Sequence, residues 1–331
     1  MLWLHEKERV YEKWRPIWFK MHPPDIAEYS WTYLFTGGKQ IRPTLFCELW
    51  NYLEPGSQIN YDLAFAIECI HCASLILDDS PWMDNATERR GRPTLHTVYS
   101  PKKALLITYN LIDLVQQIWR DNCPATQGAW TQLLKEKIRR LIIGQQYDLD
   151  KINTDLYTLA SLKTGVLFEL VTETVAVCIH LDPVFWRNWG NNLGVLFQWV
   201  DDWSDREEDI QQCNRNAFNE AQQITQSQYY SIWNTISQQI GPEWFRSDFG
   251  SWMTQYFTII PQPQQITDIT ATYPHVNDTI HMPTNTTITG KHILSGIWYC
   301  MNKEYKRPDI SRLWGTDEKL WDNIIFDKER I

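Results

Sequence analysis

Residues 71–96 read HCASLILDDSPWMDNATERRGRPTLH, and we expect the rest of the chain to be organised around this segment. Three carboxylates stand a few residues before two arginines; the five residues are Asp78, Asp79, Asp84, Arg89 and Arg90. Carboxylate oxygens suit a divalent cation such as Mg²⁺, and the arginine fork binds phosphate through paired hydrogen bonds. The segment therefore predicts a site for a metal-bridged diphosphate.

The residues before the carboxylates predict a buried helix that ends at the acidic pair. Residues 61–77 are apolar at helical spacing, and Pro81 removes a backbone donor and disfavours helix in the residue before it. We expect the chain to fold back after the break, so that Asp84 returns to Asp78. His71 and Ser74 precede Asp78 by about two turns and one turn and should share its face. The alternatives are a polar surface loop and a core histidine.

A second acidic segment follows at residues 197–209, FQWVDDWSDREED. Gln198, Asp201 and Asp205 fall on one helical face, with Asp202 beside them. Like charges at this spacing repel one another unless a cation lies between them, so two such clusters would suit a site that holds several Mg²⁺ ions. By itself the segment is equally consistent with an exposed acidic helix end.

Composition limits the class of protein. The 331 residues carry a formal charge of −9, which argues against nucleic-acid binding, and helical periodicity without a strand-rich block predicts one all-α domain over residues 1–331. We expect residues 261–288 to form an irregular insertion and residues 306–331 a C-terminal tail. Asp25 is expected to cap the second helix.

The compartment and the membrane relation follow from other counts. No apolar run reaches the roughly 20 residues that a bilayer span needs, so we expect no integral membrane segment. Seven scattered cysteines suit reduced thiols in the cytoplasm, and the pair Cys69 and Cys72 is interpreted as core packing.

Two further positions stand out, one as a candidate anion site and the other as a predicted interruption of a helix. Lys39 and Arg42 follow the Gly37-Gly38 turn near a helix start, where backbone amides also favour an anion. The tripeptide beginning at Lys163, KTG, lies within a predicted helix, where a glycine costs about 1 kcal/mol relative to alanine. A surface turn and a tolerated glycine are the alternatives.

Five motifs in order resemble those of the trans-isoprenyl diphosphate synthases, the polyprenyl synthetase family. They are GGKQIRP at 37–43, DDSPWMD with RRGRPTLH at 78–96, GQQYD at 144–148, KTG at 163–165 and FQWVDDWSD at 197–205. The resemblance implies the isoprenoid synthase helical bundle around a central cavity, and a homodimer. It implies condensation of isopentenyl diphosphate with allylic diphosphates of five to fifteen carbons.

The resemblance also implies a role for each motif residue. Isopentenyl diphosphate is assigned to Lys39, Arg42, His71 and Arg90. The allylic diphosphate and the developing cation are assigned to Arg89, Lys163, Thr164 and Gln198. Three Mg²⁺ ions are assigned to Asp78, Asp79, Asp84, Asp201, Asp202 and Asp205.

Chain length is predicted from the residues that precede the first aspartate. Ala73 and Ser74 lie about 6–8 Å before Asp78 along the helix at ~1.5 Å per residue. The resemblance places an aromatic residue here in farnesyl-type relatives, so two small residues favour the twenty-carbon product, geranylgeranyl diphosphate.

Two other functions are weighed against this one. A terpene cyclase would share the helical fold, but it would need neither Lys39 nor Arg42. A non-catalytic regulatory subunit is the second alternative, since the lysines that the family usually carries after the second aspartate motif are missing: no lysine occurs between Lys163 and Lys291. Arg206 or Arg215 is a candidate substitute.

Overall fold

The computed structural model describes residues 1–122, 127–150, 152, 154–212 and 215–261. Within these ranges the regular secondary structure is helical apart from one short antiparallel hairpin, β1 (Glu88–Arg89) with β2 (Arg92–Pro93), so the predicted all-α class is confirmed. The helices are α1 (Leu2–Met21), α2 (Pro24–Phe35), α3 (Ile41–Leu53), α4 (Tyr61–Asp78), α5 (Leu95–Val98), α6 (Pro101–Asn122), α7 (Gln127–Leu149), α8 (Leu156–Ala160), α9 (Val166–Cys178), α10 (Pro183–Ser204), α11 (Arg206–Gln212), α12 (Ala217–Ile240) and α13 (Asp248–Phe257).

Helix boundaries follow the local signals at most positions. α4 ends at Asp78, as Pro81 predicts, and α9 is preceded by a π-helical turn at Ser161–Gly165, where the sequence predicts an interruption. The predicted cap of α2 is wrong. Pro23 occupies the cap position and Asp25 lies in the first turn, because proline suits a helix start whose amides need no intrahelical partner.

Two helices at the centre of the fold position the acidic segments. α4 packs against α1, α3 and α6, and α9 packs against α3, α7 and α10. Both are buried along most of their length, which is why their sequences are apolar on nearly every face. Several tryptophans complete the core with almost no exposure: Trp3, Trp18, Trp189, Trp199 and Trp244.

Glycines allow α10 to approach α9 and the π-helical turn closely. A Cβ at Gly194 would lie 2.6 Å from the Cα of Gly165, and one at Gly190 would lie 2.7 Å from the carbonyl oxygen of Phe168. Any side chain at these positions would have to displace backbone. The contact fixes the height of the second acidic segment relative to the KTG turn.

A buried ionic cluster joins α7, α9 and α10. The Lys137 ammonium lies 2.5 Å from a Glu169 oxygen and 2.7 Å from a Glu173 oxygen, and all three side chains are almost fully buried. Arg140 donates to Glu169 from α7, and Arg187 donates to Glu173 from α10. Each charge has a partner, which is the condition under which buried ions are tolerated.

Some predicted features fall outside the described residues. These are residues 262–288 of the predicted insertion and the tail at 306–331, so the assignment of the whole chain to one domain stays a prediction. In the part of the chain that the structure covers, no helix is both long enough and apolar enough to span a membrane. Cys69 and Cys72 are buried thiols on α4, as core packing predicts.

The contact between α9 and α10 predicts the effect of Gly194→Ala. The added methyl must move the backbone at Gly165, so we expect the free energy of unfolding to fall by about 1–3 kcal/mol in urea denaturation. Val184→Ala on the exposed start of α10 is the control and should change it by less than about 0.5 kcal/mol. Equal effects of the two substitutions would contradict the close packing.

Candidate active site

The first acidic segment folds back on itself after α4. The amide of Asp84 donates to the carbonyl oxygen of Asp78 at 2.9 Å, and the Ser80 carbonyl accepts from Met83 and Asn85 at 2.9 and 3.0 Å. This turn confirms the predicted return of Asp84 to Asp78. Burial raises the pKa values of both carboxylates because it disfavours their charged forms, and Lys163 acts in the opposite direction. Neighbouring carboxylates add to the rise, Asp84 for Asp78 and Asp79 for Asp84.

Asp79 points to a different set of partners. Its carboxylate is 2% exposed, accepts a hydrogen bond from the Tyr33 hydroxyl and lies 2.6 Å from Nε of Arg89. An ion pair with this little solvent holds both members in place. The structure therefore ties Arg89 to the end of α4 through Asp79.

The hairpin that follows presents the two arginines. Arg90 and Gly91 form its two-residue turn with φ values of +54° and +73°, which is the backbone of a type I′ turn. The Arg90 guanidinium then lies over the Gly37-Gly38 turn, where a Cβ on Gly38 would be 2.5 Å from its central carbon. The φ of +72° favours glycine at position 38, and a side chain there would also displace the Arg90 guanidinium.

Arg42 and Arg90 form a cationic group beside this turn, and His71 lies next to them. Arg42 is 8% exposed and its guanidinium lies 5.0 Å from the centre of the Phe168 ring. Burial and the nearby arginines lower the pKa of His71 well below its usual value, so this imidazole is neutral. Glu68, one turn before His71 and buried, faces Arg42 and Arg90; burial raises its pKa while the two arginines lower it.

The KTG turn reaches both acidic segments. Lys163 pairs with Asp148 and acts electrostatically on Asp78 and Asp84. The Thr164 hydroxyl donates to the Gln198 side-chain oxygen at 2.6 Å. A π-helical turn contains one extra residue, which changes the direction of the side chains around it and accounts for the interruption at this motif.

The second acidic segment lies at the end of α10. Asp202 accepts from Gln198 at 2.8 Å and from the Ala217 amide at 3.1 Å, while Asp201 accepts from the Tyr256 hydroxyl at 2.8 Å. Asp205 is exposed at the helix end, and its amide donates to the Asp201 carbonyl. Burial raises the pKa of all three, that of Asp202 to about 6.

The donor set has the chemistry of a magnesium site. Within the described residues, no three His, Cys, Asp or Glu side chains are grouped so that they alone could hold a metal ion. Mg²⁺ is commonly bound by one or two carboxylates together with substrate phosphates and water. A neighbouring cation would stabilise the charged forms of half-buried carboxylates with raised pKa values, such as Asp78 and Asp201.

The two arginines considered as substitutes for the missing lysines have local partners. Arg215 pairs with Glu220 at 3.0 Å and donates to the Thr154 carbonyl at 3.2 Å, and Arg206 lies over the Trp203 ring at 3.4 Å. None of these contacts directs either arginine to a carboxylate of the second cluster.

Three site residues escaped the sequence analysis. Tyr33 and Tyr256 donate to Asp79 and Asp201, and Glu68 faces the arginines. The two tyrosines lie 46 and 55 residues from their partners, and no motif marks them. Glu68 could have been found from the sequence. It is a carboxylate within an apolar helix, three residues before His71, and a buried carboxylate usually has a cationic partner.

Comparisons with known proteins bear on the family and the fold. The family model described as polyprenyl synthetase matches residues 24–230. A geranylgeranyl diphosphate synthase from Cereibacter sphaeroides is 33% identical over 177 residues, which are 51% of this chain and 61% of that relative. The chain thus spans less than two thirds of that relative's length.

Solved structures share the helical fold. The geranyltranstransferase of Thermotoga maritima has a TM-score of 0.62 at 24% identity and covers 77% of this chain and 97% of its own. A geranyltransferase from Helicobacter pylori, solved with magnesium and isoprenyl diphosphate, has a TM-score of 0.56 at 24% identity and covers 74% and 93%.

The raised pKa of Asp78 predicts how pH affects the metal-free protein. Its pKa is about 7 in the fold against an ordinary 3.8, so the folded state holds the proton more tightly than the unfolded chain does. Stability should therefore fall as pH rises from about 4 through 7, and Asp78→Asn should remove roughly 1–3 kcal/mol of that loss. Urea denaturation in chelator from pH 5 to 8 measures it, and an unchanged slope in the variant would contradict the interpretation.

Proposed function

This chain belongs to the polyprenyl synthetase family, and on that premise we propose that it is a trans-prenyltransferase. It condenses isopentenyl diphosphate head-to-tail with allylic diphosphates. The observation that carries the proposal is the placement of cations beside both acidic clusters. Lys163 acts on Asp78 and Asp84, and Arg42 acts on Asp201. Two diphosphates and the metal ions between them need this alternation of charge.

We assign Mg²⁺ to the carboxylates that keep an oxygen for a cation. These ligands are Asp78, Asp84, Asp201 and Asp205. In Asp79 and Asp202 both carboxylate oxygens accept from protein donors, so these two residues orient the segments that carry them. When bound, the ions neutralise the departing diphosphate. The magnesium in the Helicobacter pylori neighbour supports the choice of ion, and the number of three is kept from the resemblance.

The allylic diphosphate is assigned to the residues around the KTG turn. Asp79 holds Nε of Arg89, so the terminal nitrogens of Arg89 are the donors that we assign to the diphosphate. Lys163 supplies a positive charge close to the first acidic cluster. The oxygens of Thr164 and Gln198, joined by one hydrogen bond, face the developing allylic cation.

Isopentenyl diphosphate is assigned to the group beside the Gly37-Gly38 turn. Arg42 and Arg90 provide fixed positive charge, and Lys39 adds a third cation. His71 is neutral, so it contributes a hydrogen bond rather than charge. The double bond of this substrate attacks the allylic cation, and a proton is then lost, which the family resemblance assigns to the diphosphate as base.

The proposed product has twenty carbons. Ala73 is buried and Ser74 half-buried on α4, five and four residues before Asp78, so neither places a ring on the path of a growing chain. The Cereibacter sphaeroides relative, a geranylgeranyl diphosphate synthase, supports this length. The homodimer and the cytoplasmic location stay predictions.

A product assay tests the function. Purified protein with Mg²⁺, isopentenyl diphosphate and each of the allylic substrates of five, ten and fifteen carbons should give a twenty-carbon diphosphate by mass spectrometry. Hydrocarbon released without elongation would indicate a cyclase. No reaction with any substrate would indicate the regulatory subunit.

Aspartate variants test the two clusters. Asp78→Ala and Asp201→Ala should each lower turnover by more than about a hundredfold, because an electrostatic contact to the leaving group is lost. Helicity by circular dichroism should be unchanged. Asp113→Ala on the exposed side of α6 is the matched control and should retain activity. Activity retained by either cluster variant would contradict the two-cluster assignment.

Ala73→Phe tests the chain-length assignment. A ring at this position shortens the space below the first aspartate, so products of ten or fifteen carbons should replace the twenty-carbon product. Ala73→Ser keeps the side chain small and should leave the product unchanged. If the phenylalanine variant still makes twenty carbons, chain length is set elsewhere.

A further inference from the structure

Helix α13 brings an aromatic side chain to the second acidic cluster from beyond the stretch that matches the family model, residues 24–230. The Tyr256 hydroxyl donates to Oδ1 of Asp201 at 2.8 Å. Its ring stacks on Phe197 with centroids 5.2 Å apart and on Trp252 with centroids 5.1 Å apart. Phe197 lies one helical turn before Asp201, so ring and hydroxyl both contact α10.

The same ring contacts the other half of the site. The Lys39 ammonium lies 4.8 Å from the centre of the Tyr256 ring and 6.0 Å from that of Phe197. A cation at this distance from an aromatic face is attracted by the ring electrons. Lys39 is assigned to isopentenyl diphosphate and Asp201 to Mg²⁺, so one tyrosine contacts a ligand of each.

α13 holds this tyrosine firmly. Phe249, Met253 and Phe257 from the same helix are buried, and the Tyr229 hydroxyl of α12 donates to the Phe257 carbonyl at 2.6 Å. Ser247 caps the first turn through the Gly250 amide. A side chain on a helix anchored in this way can fix the orientation of the groups that it touches.

The contacts also separate two opposite charges. Lys39 acts electrostatically on Asp201 and Asp205, and a direct ion pair would occupy both the cation that binds diphosphate and the anion that binds metal. Tyr256 gives each charge its own partner, the hydroxyl for Asp201 and the ring for Lys39. One oxygen of Asp201 is thereby oriented by the tyrosine and the other is available to a cation.

We propose that Tyr256 is a positioning residue that couples the metal-binding carboxylate Asp201 to the isopentenyl-site cation Lys39. The proposal rests on the proposed function, because it assigns these two residues to the metal and to the substrate. It also gives α13, which lies outside the five sequence motifs, a role in the site.

Two variants separate the hydroxyl from the ring. Tyr256→Phe removes the donor to Asp201 and keeps the ring under Lys39, so the half-saturating Mg²⁺ concentration should rise about 10- to 100-fold, as on loss of an outer-shell contact, with KM for isopentenyl diphosphate within about twofold. Tyr256→Leu should raise both quantities. Tyr230→Phe is the control, since its hydroxyl donates to the Ile260 carbonyl, and it should match the wild type in both.

A binding measurement accompanies the kinetics. Calorimetric titration of inorganic diphosphate at a series of Mg²⁺ concentrations should show the same displaced Mg²⁺ dependence in Tyr256→Phe and none in Tyr230→Phe. A Tyr256→Phe variant that loses turnover but keeps the wild-type Mg²⁺ dependence in both measurements would overturn the coupling. If the wild type elongates no substrate, the proposed function fails, and the titration still decides whether Tyr256 supports Asp201.

Discussion

The close crossing of α9 and α10 is the constraint on which the site depends. Gly165 and Gly194 meet almost backbone to backbone, and this contact brings the π-helical turn against the helix that carries Gln198 and Asp201. The hydrogen bond from Thr164 to Gln198 joins the turn and the helix beside this crossing. Side chains larger than glycine at the crossing would widen the gap between the two halves of the site.

The buried ionic cluster and the aspartates of the site differ in how their charges are compensated. Lys137, Glu169 and Glu173 are nearly fully buried, and each meets an opposite charge. Together with Arg187 of α10 they tie α7, α9 and α10 to one another. In the site, burial raises the pKa values of Asp78 and Asp202, and the neighbouring charges and hydrogen bonds do not offset this rise. A cation beside such a buried carboxylate favours its charged form.

The sequence predicted what local rules control. Apolar periodicity and Pro81 set the end of α4 and the return of Asp84, and the glycine in KTG marked the interruption before α9. Contacts between residues far apart in the sequence could not be predicted, because periodicity carries no information about which distant side chains meet. The contacts of Tyr33 with Asp79 and of Arg90 with Gly38 are of this kind. The assigned roles of the motif residues rest on the family resemblance, and the structure adds their neighbours.

Helix α13 lies outside the stretch that matches the family model, yet it contacts the second acidic cluster. A chain shortened to the matched stretch, ending at residue 230, would retain every motif aspartate, lysine and arginine. It would nevertheless expose the hydrophobic surfaces that Met253 and Phe257 cover and leave Asp201 without its tyrosine donor. A polypeptide limited to the matched residues would therefore contain the motif side chains but lack part of the scaffold that packs around them.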